Sequence, residues 1–370
     1  MEPFSPNRLT VARERRGLTK KALAEAVNLS AQAITDYETA ASQPTPESAN
    51  RLAFALHFPL GWFYNSSLED LPQEAVSFRS QARMTARIRA KTLATGQMAY
   101  ETLSPTFHKH FKFPALDIPF LDAEEPEKSA QLLRDHWKLG QGPITNMVHL
   151  LEAKGVEVYW LEADSECVDA VSFWRDNKPF VLLNTTKPAG ERERFDLAHE
   201  LAHLVLHRQA KIGDSRTLEK QAQSFASAFL LPEAQYRSEC PRQPIMAQFL
   251  PLKKRWGVSI QAQVTRATEL NIYTHWQYQT AFKTISMNGW RKQEPQPLPR
   301  QESALHKLAF EKLAQKGLTA IDIANQIQIG VEDLFEIAPV SQQFAQRIAI
   351  SSDIQAVQSE HNHLKLVKFG

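Results

Sequence analysis

The sequence predicts an α+β protein that is mainly helical. It has an all-α N-terminal part, a small sheet running into a metal-binding helix, and a helical C-terminal tail. Three observations predict this. Short, capped apolar periods of helical spacing fill the first 65 residues, and three β-branched and aromatic runs stand between residues 156 and 184. A long helical pattern at 191–208 then carries His199-Glu200-Leu-Ala-His203. At 370 residues the chain is long enough for two or three cores. Its 43% apolar and 23% charged residues exclude wholesale disorder. A net charge of +2 gives no global argument for nucleic acid, so any such argument is local. Cys167 and Cys240, the 2 cysteines, exclude a disulfide scaffold and lack paired zinc-ligand spacing. Cys167 reads as a packing residue rather than a nucleophile. The N-terminus shows no basic region followed by an apolar run, and no stretch has the roughly 18 apolar residues of a membrane span. A soluble, cytoplasmic protein is the default expectation.

Residues 1–65 divide into helices by their caps and breakers. Leu9, Val11 and Ala12 begin an amphipathic helix ending at Arg16-Gly17, where glycine suits the C-cap. Thr19 caps TKKALAEAV, Ser30 caps SAQAITDYET, and Pro46 with Ser48 opens ESANRLAFAL. Gly61 to Tyr64 close the domain with aromatics. Residues 66–145 form a helical connecting region, in which Arg79, Arg83 and Arg87 recur at i, i+4, i+8 as one basic stripe. The stripe is expected to be a solvated face, with DNA phosphates or acidic side chains as alternatives. The 146–285 region holds the strand runs VEVYWL, VDAVSFW and KPFVLLN, the last two joined across Arg175-Asp176-Asn177. Two strong helices follow, at 191–208 and about 217–231. Residues 286–370 begin with the Pro-rich linker NGWRKQEPQPLPRQ and continue as a helical region. There LTAIDIANQIQIGVEDL, from Leu318, matches LTKKALAEAVNLSAQAI, from Leu18, at every apolar position. An ordinary helical hairpin is the favoured reading of this repeat, because Glu332 and Asp333 would repel phosphates.

Thr19 to Glu38 gives two short helices joined by a tight turn, an arrangement that lays its second helix in the major groove. Ala31, Gln32, Thr35 and Asp36 at the start of that helix are the candidate base readers; Gln32 can pair bidentately with adenine. Lys20, with Arg8, Arg13, Arg15, Arg16 and Lys21, sits where phosphate contacts are expected. The stretch LTKKALAEAVNLSAQAITDYETAASQPTPESANRLAFAL resembles the XRE (Cro/C1-type) repressor family over about 55 residues. The resemblance implies double-stranded DNA as a partner, bound weakly by a monomer, with a homodimer as an open alternative.

His199 and His203, four residues apart on a helix, project from one face and can share a metal ion. Glu200 lies about 100° round, where it reaches a water beside the metal. A catalytic zinc needs a third protein ligand and an open position. Glu219, at the edge of the stripe Ala222, Phe225, Ala226 and Phe229, is the favoured third ligand; Asp214, His207 and His275 compete. His207, Tyr236 and Arg208 are candidates for stabilising an oxyanion. Zn2+ is the expected cofactor, though His/His/Glu donors also accept Mn2+ and other divalent metals.

RERFDLAHELAHLVLH followed by E-x-x-A-x-x-F-A-x-x-F-L-L-P resembles the ImmA/IrrE family of zinc metallopeptidases. So does VDAVSFWRDNKPFVLLNTTKPAGERERF, whose strands run into the metal helix. Many members carry a glutamate where this chain has Gln221, which leaves Glu219 as the only glutamate for the ligand role. The resemblance spans about residues 8–290. It implies a zincin-like domain and an endopeptidase that cleaves a regulatory protein such as an XRE-type repressor. The alternative is a transcription regulator whose metal domain is a non-catalytic sensor or interaction module, including an antitoxin or phage-defence role.

Overall fold

The computed structural model describes residues 3–69, 71, 76–78, 85–162, 168–186, 189–208 and 215–345. Arg79, Arg83, Cys167 and Asp214, and the tail beyond 345, lie outside the described residues. The N-terminal part is α1 (Pro6–Arg15), α2 (Lys20–Ala26), α3 (Ala31–Glu38) and α4 (Pro46–Leu56), closed by a 3-10 turn at Leu60–Tyr64. The caps read from the sequence at Thr19 and Ser30 are in place, and the structure adds Ser5 and Thr45. Ser5, Thr19, Ser30 and Thr45 each accept a backbone N–H three residues on, and Pro6 and Pro46 occupy the first turn. Each such cap stabilises its helix by about 1 kcal/mol.

Strand β1 (Val76–Phe78) precedes α5 (Ala86–Met98), which passes through a π-wound turn at Ala99–Leu103 into α6 (Ser104–His110). Next come α7 (Pro126–His136), α8 (Met147–Ala153), β2 (Glu157–Leu161), β3 (Ala170–Arg175) and β4 (Lys178–Asn184). The strands form a sheet of order β1-β3-β4-β2. Strands β3 and β4 make an antiparallel hairpin, β1 adds antiparallel to β3, and β2 adds parallel to β4. Asp176 and Asn177 turn the hairpin with φ of 48° and 58°, the left-handed pair that a two-residue hairpin of the right twist needs.

The sheet is buried on both faces, and its two-residue period assigns each face to a different core. Val158, Trp160, Ala170, Val181 and Leu183 pack with α9 (Gly190–Leu206) and α10 (Ser215–Leu230). That core continues through α11 (Glu233–Glu239), α12 (Met246–Trp256), α13 (Ile260–Glu269) and α14 (His275–Met287). Tyr159, Leu161, Val171, Phe173, Phe180 and Leu182 face the other way. They join one core that takes in α1 to α6 together with α15 (Ala304–Gln315), α16 (Ala320–Ile327) and α17 (Val331–Ile337).

Between α14 and α15 the Pro-rich stretch is a strap laid over the start of α9. The Gly190 N–H donates to Leu298 O at 3.1 Å, and a Cβ on Gly190 would stand 2.0 Å from Pro299 O, so only glycine fits. Glu191 accepts from Leu298 N, Arg300 pairs with Glu193, and the buried Lys253 bridges Glu191 (2.7 Å) and Glu294 (3.3 Å). These acids in the first turn of α9 also favour its positive end.

The repeat at Leu318 folds as its N-terminal counterpart does, α16 and α17 starting 300 residues after α2 and α3. Its second helix is turned inward. Asp333, 1% exposed, takes both ends of the Arg16 guanidinium (2.7 and 2.6 Å) and lies 3.2 Å from Arg15, which also meets Glu336 at 2.6 Å. This corrects the phosphate-contact expectation for much of the basic cluster. Arg15 and Arg16 hold the C-terminal helices, Arg13 holds Glu38 at 2.6 Å, and Arg8 donates to Ser66 O from over the Trp62 ring. Among the described residues no helix is long and apolar enough to cross a membrane.

Removing one partner of a buried ion cluster leaves its charge uncompensated. Asp333→Ala is therefore expected to destabilise the protein by about 3–5 kcal/mol, read by urea denaturation, whereas replacing Arg15, Arg16 and Asp333 together with apolar residues restores most of the loss. His306, at the start of α15, is buried among Phe107, Tyr159 and Trp160, and burial pushes its imidazole from 6.5 down to about 3. The unfolded chain takes a proton there below pH 6.5 while the folded one does not, so stability falls as the pH drops from 6.5 towards 3. His306→Phe is expected to shift the acid-unfolding midpoint, followed by circular dichroism, to lower pH.

Candidate metal centre and recognition helix

Helix α9 is buried along nearly its whole length, because the sheet lies on one side and α8 and α10 on others. A helix enclosed in this way carries polar side chains only where they meet partners. His199 and His203 sit one turn apart and bring their Nε2 atoms to 3.2 Å. Helix α10 packs its stripe Ala222, Phe225, Ala226 and Phe229 inward, all fully buried, which points Glu219, one turn earlier, at the two rings. Its Oε2 lies 3.2 Å from His199 Nε2 and its Oε1 3.5 Å from His203 Nε2.

These distances test the fit of a metal. A tetrahedral zinc with bonds of about 2.0–2.2 Å sets its ligand atoms about 3.3–3.5 Å apart. The three separations, 3.2, 3.2 and 3.5 Å, lie at or just below that edge. Among the described residues this is one group of three His, Cys, Asp or Glu side chains placed to share an ion. Glu219 is the half-exposed member, so the centre opens to solvent on its side. Burial alone would raise the Glu219 carboxyl, but hydrogen bonds and charge from His199 and His203 hold it down at about 2.

Glu200 is 1% exposed, and Ser172 Oγ on β3 donates to its Oε2 at 2.5 Å. The sequence reading passed over Ser172; its one signal is a hydroxyl interrupting the apolar run VDAVSFW. His207, a competitor for the third ligand position, packs its ring on His203 instead, with Nδ1 atoms 2.9 Å apart and its Nε2 3.1 Å from Gln221 Oε1. Burial, then the neighbouring His203, push the His207 imidazole down to about 4, so it is neutral at pH 7. His275 stands at the exposed start of α14, against Gln279.

Of the oxyanion candidates, Tyr236 is corrected outright: it is fully buried and its hydroxyl donates to Gln263 O at 2.8 Å. Both His207 ring nitrogens are engaged. Arg208 stacks over Trp174 at 4.0 Å and donates to Asn177 at the hairpin turn.

In the N-terminal domain Ala31 and Gln32 are exposed at the start of α3, with Thr35 and Asp36 half-exposed behind them. The Gln32 amide donates to Asp36 Oδ1 at 2.7 Å, which ties the one side chain suited to adenine to a carboxylate. Lys20 is half-exposed, 3.4 Å from Glu38, and Lys21 is exposed.

Residues 11–63 match the family model described as helix-turn-helix, and residues 151–268 match that of the IrrE N-terminal-like domain. No curated protein matches the chain. In N- to C-terminal order, the chain carries an XRE-type helix-turn-helix domain and an IrrE N-terminal-like domain of the M78 peptidase family.

Proposed function

We propose that this protein is a DNA-binding regulator that cuts another regulatory protein, such as an XRE-type repressor, at a zinc centre. The division of labour assigns DNA to residues 1–65 and hydrolysis to 146–285, with 66–145 and 286–370 joining them. The observation that carries this reading is the set of three short separations among His199, His203 and Glu219, with the Glu200 carboxylate one residue from the first ligand. Held by those three side chains, a zinc ion supplies Lewis-acid activation of a water and of the scissile carbonyl. Glu200 takes the proton from the attacking water and passes it to the leaving amine. Ser172 orients the carboxylate for both transfers by donating to Oε2. The sheet and α10 exclude bulk water from the base and strengthen each of these contacts.

Metal content and cleavage separate the parts. Native protein is expected to hold one zinc per chain and to cut a co-encoded XRE-type repressor, and to stop when the ion is stripped with a chelator. Glu200→Gln should keep the zinc and lose roughly 100- to 10,000-fold in rate, while His199→Ala and Glu219→Ala lose both metal and cleavage. Cleavage by Glu200→Gln at the native rate sinks the enzymatic reading. Zinc retained with no cleavage of any repressor by native protein returns the domain to a sensor.

For DNA, gel shifts at low salt are expected to show weak binding to duplex. Gln32→Ala should weaken specific sites by about 1–3 kcal/mol, Lys20→Ala should lower the salt slope by about 1, and Asp36→Asn should raise affinity for all sequences. An absence of any shift at low salt would overturn this half of the proposal.

A further inference from the structure

A cavity opens on the side of α9 away from the metal centre. Arg194 stands five residues before His199, and at about 100° per residue that turns it roughly 140° round the helix. It lines a hollow of about 690 Å³ between the loop before α8, the end of α12, the strap and the start of α15. Arg194 is 8% exposed, yet no carboxylate among the described residues meets it. Its guanidinium donates instead to the carbonyl oxygens of Ile144 and, at 3.0 Å, Thr145, and its Nε is buried without a partner. Burial holds this group below its ordinary value, with no acid acting against it. Carbonyls and helix ends offer partial charges only, so a buried full charge is left under-compensated.

The rest of the wall has the same sign. Arg194, Lys254, Arg255, Arg300 and Lys307 line the hollow against one acid, the exposed Glu302. Arg255 is taken by Glu239 and Arg300 by Glu193. Arg194, Lys254 and Lys307 remain, three cations from three helices around one space. A carboxylate would neutralise one of them, whereas a phosphate ester brings about 1.5–2 negative charges and three acceptor oxygens. The volume lies within the roughly 300–1,000 Å³ of small-molecule sites. Pro143, Ile144, Leu298 and Pro299 give it an apolar side beside the charged one.

We propose that this cavity is an effector site for a small phosphate-bearing anion, which clamps the strap and α15 to α9 from the side opposite the metal centre. The site goes beyond the peptidase reading and does not depend on it. Its ligand is a small molecule rather than duplex DNA, because a duplex backbone runs over exposed side chains and Arg194 lies inside the hollow. The strap already holds the first turn of α9 through Gly190 and Glu191. A phosphate shared by Lys254, Lys307 and Arg194 adds a second attachment there, and so couples the ligand to the helix that carries His199 and His203.

Calorimetric titration of the full-length protein at low salt, with inorganic pyrophosphate and ATP as separate probes, tests the site. Both are expected to bind with Kd below about 1 mM. Tighter binding of ATP means that the apolar side holds an organic part, and equal affinities mean that phosphate alone is recognised; both support the site. The double variant Lys254→Ala, Lys307→Ala, altered at two exposed positions, should bind both probes about 100-fold more weakly. Lys109→Ala, Lys112→Ala removes the same charge from exposed positions elsewhere and should bind as native, as should His199→Ala, which alters the metal centre. With pyrophosphate bound, hydrogen exchange at the Gly190 and Leu298 amides should slow. No binding of either probe at about 10 mM, an equal loss in the Lys109, Lys112 variant, or a loss in His199→Ala overturns the site. So does duplex DNA that needs Lys254 and Lys307 while neither small probe binds. Binding with unchanged exchange at Gly190 and Leu298 overturns the clamp.

Discussion

The register of the β3–β4 hairpin is the constraint on which the rest of the structure depends. The sheet has no solvent face, so a slip of one residue would exchange the two rows of side chains between two unlike cores. Ser172 sits between Ala170 and Trp174 in the row that faces α9, and its hydroxyl reaches Glu200. In a slipped register Val171 or Phe173 would meet that carboxylate, and a buried charge would lose its donor. The turn at Asp176-Asn177 pins the register from one end. The pairing of β4 with both β3 and β2 pins it along its length.

The same wall explains why α9 can be polar and enclosed at once. Burying imidazoles and carboxylates is costly unless each finds a partner. Along α9 the partners come from different elements: Ser172 from the sheet, Glu219 and Gln221 from α10, and Lys253 and Arg300 at its first turn. The strap at 289–302 therefore belongs to the site's foundation. It holds the start of α9 through Gly190, Glu191 and Glu193, and so fixes the helix on which His199, Glu200 and His203 are spaced.

What was legible in the sequence was local. The i, i+4 spacing of His199 and His203, the stripe on α10 that carries Glu219 at its edge, the caps at Thr19 and Ser30, and the three strand runs are all signals within one element. What was not legible was pairing over distance. Nothing near Arg15 and Arg16 in the chain announces that their partner is 317 residues on, and an arginine cluster beside a helix-turn-helix has a ready alternative in phosphate. Ser172 and Tyr236 fail for the same reason in opposite directions. A serine in a strand and a tyrosine in a helix have no fixed role until the facing element is known, and here one faces a carboxylate and the other a backbone carbonyl in the core.

The fate of those arginines bears on how the N-terminal domain can work. Electrostatic affinity for duplex scales with the number of phosphates neutralised, each adding about 0.9 to the salt slope. Four of the six basic residues clustered around α1 and α2 are spent inside the protein: Arg8 on Ser66, Arg13 on Glu38, and Arg15 and Arg16 on the C-terminal acids. Lys20 and Lys21 are what the cluster leaves at the surface, and each has an acid within 4.0 Å. Two of these arginines, Arg15 and Arg16, tie the domain to α17 rather than leaving their charge for phosphates. Of the α3 side chains proposed to read base edges, Gln32 is already bonded to Asp36. The arginines at the end of α1 thus join the N-terminal helices to α17 instead of standing free for phosphates.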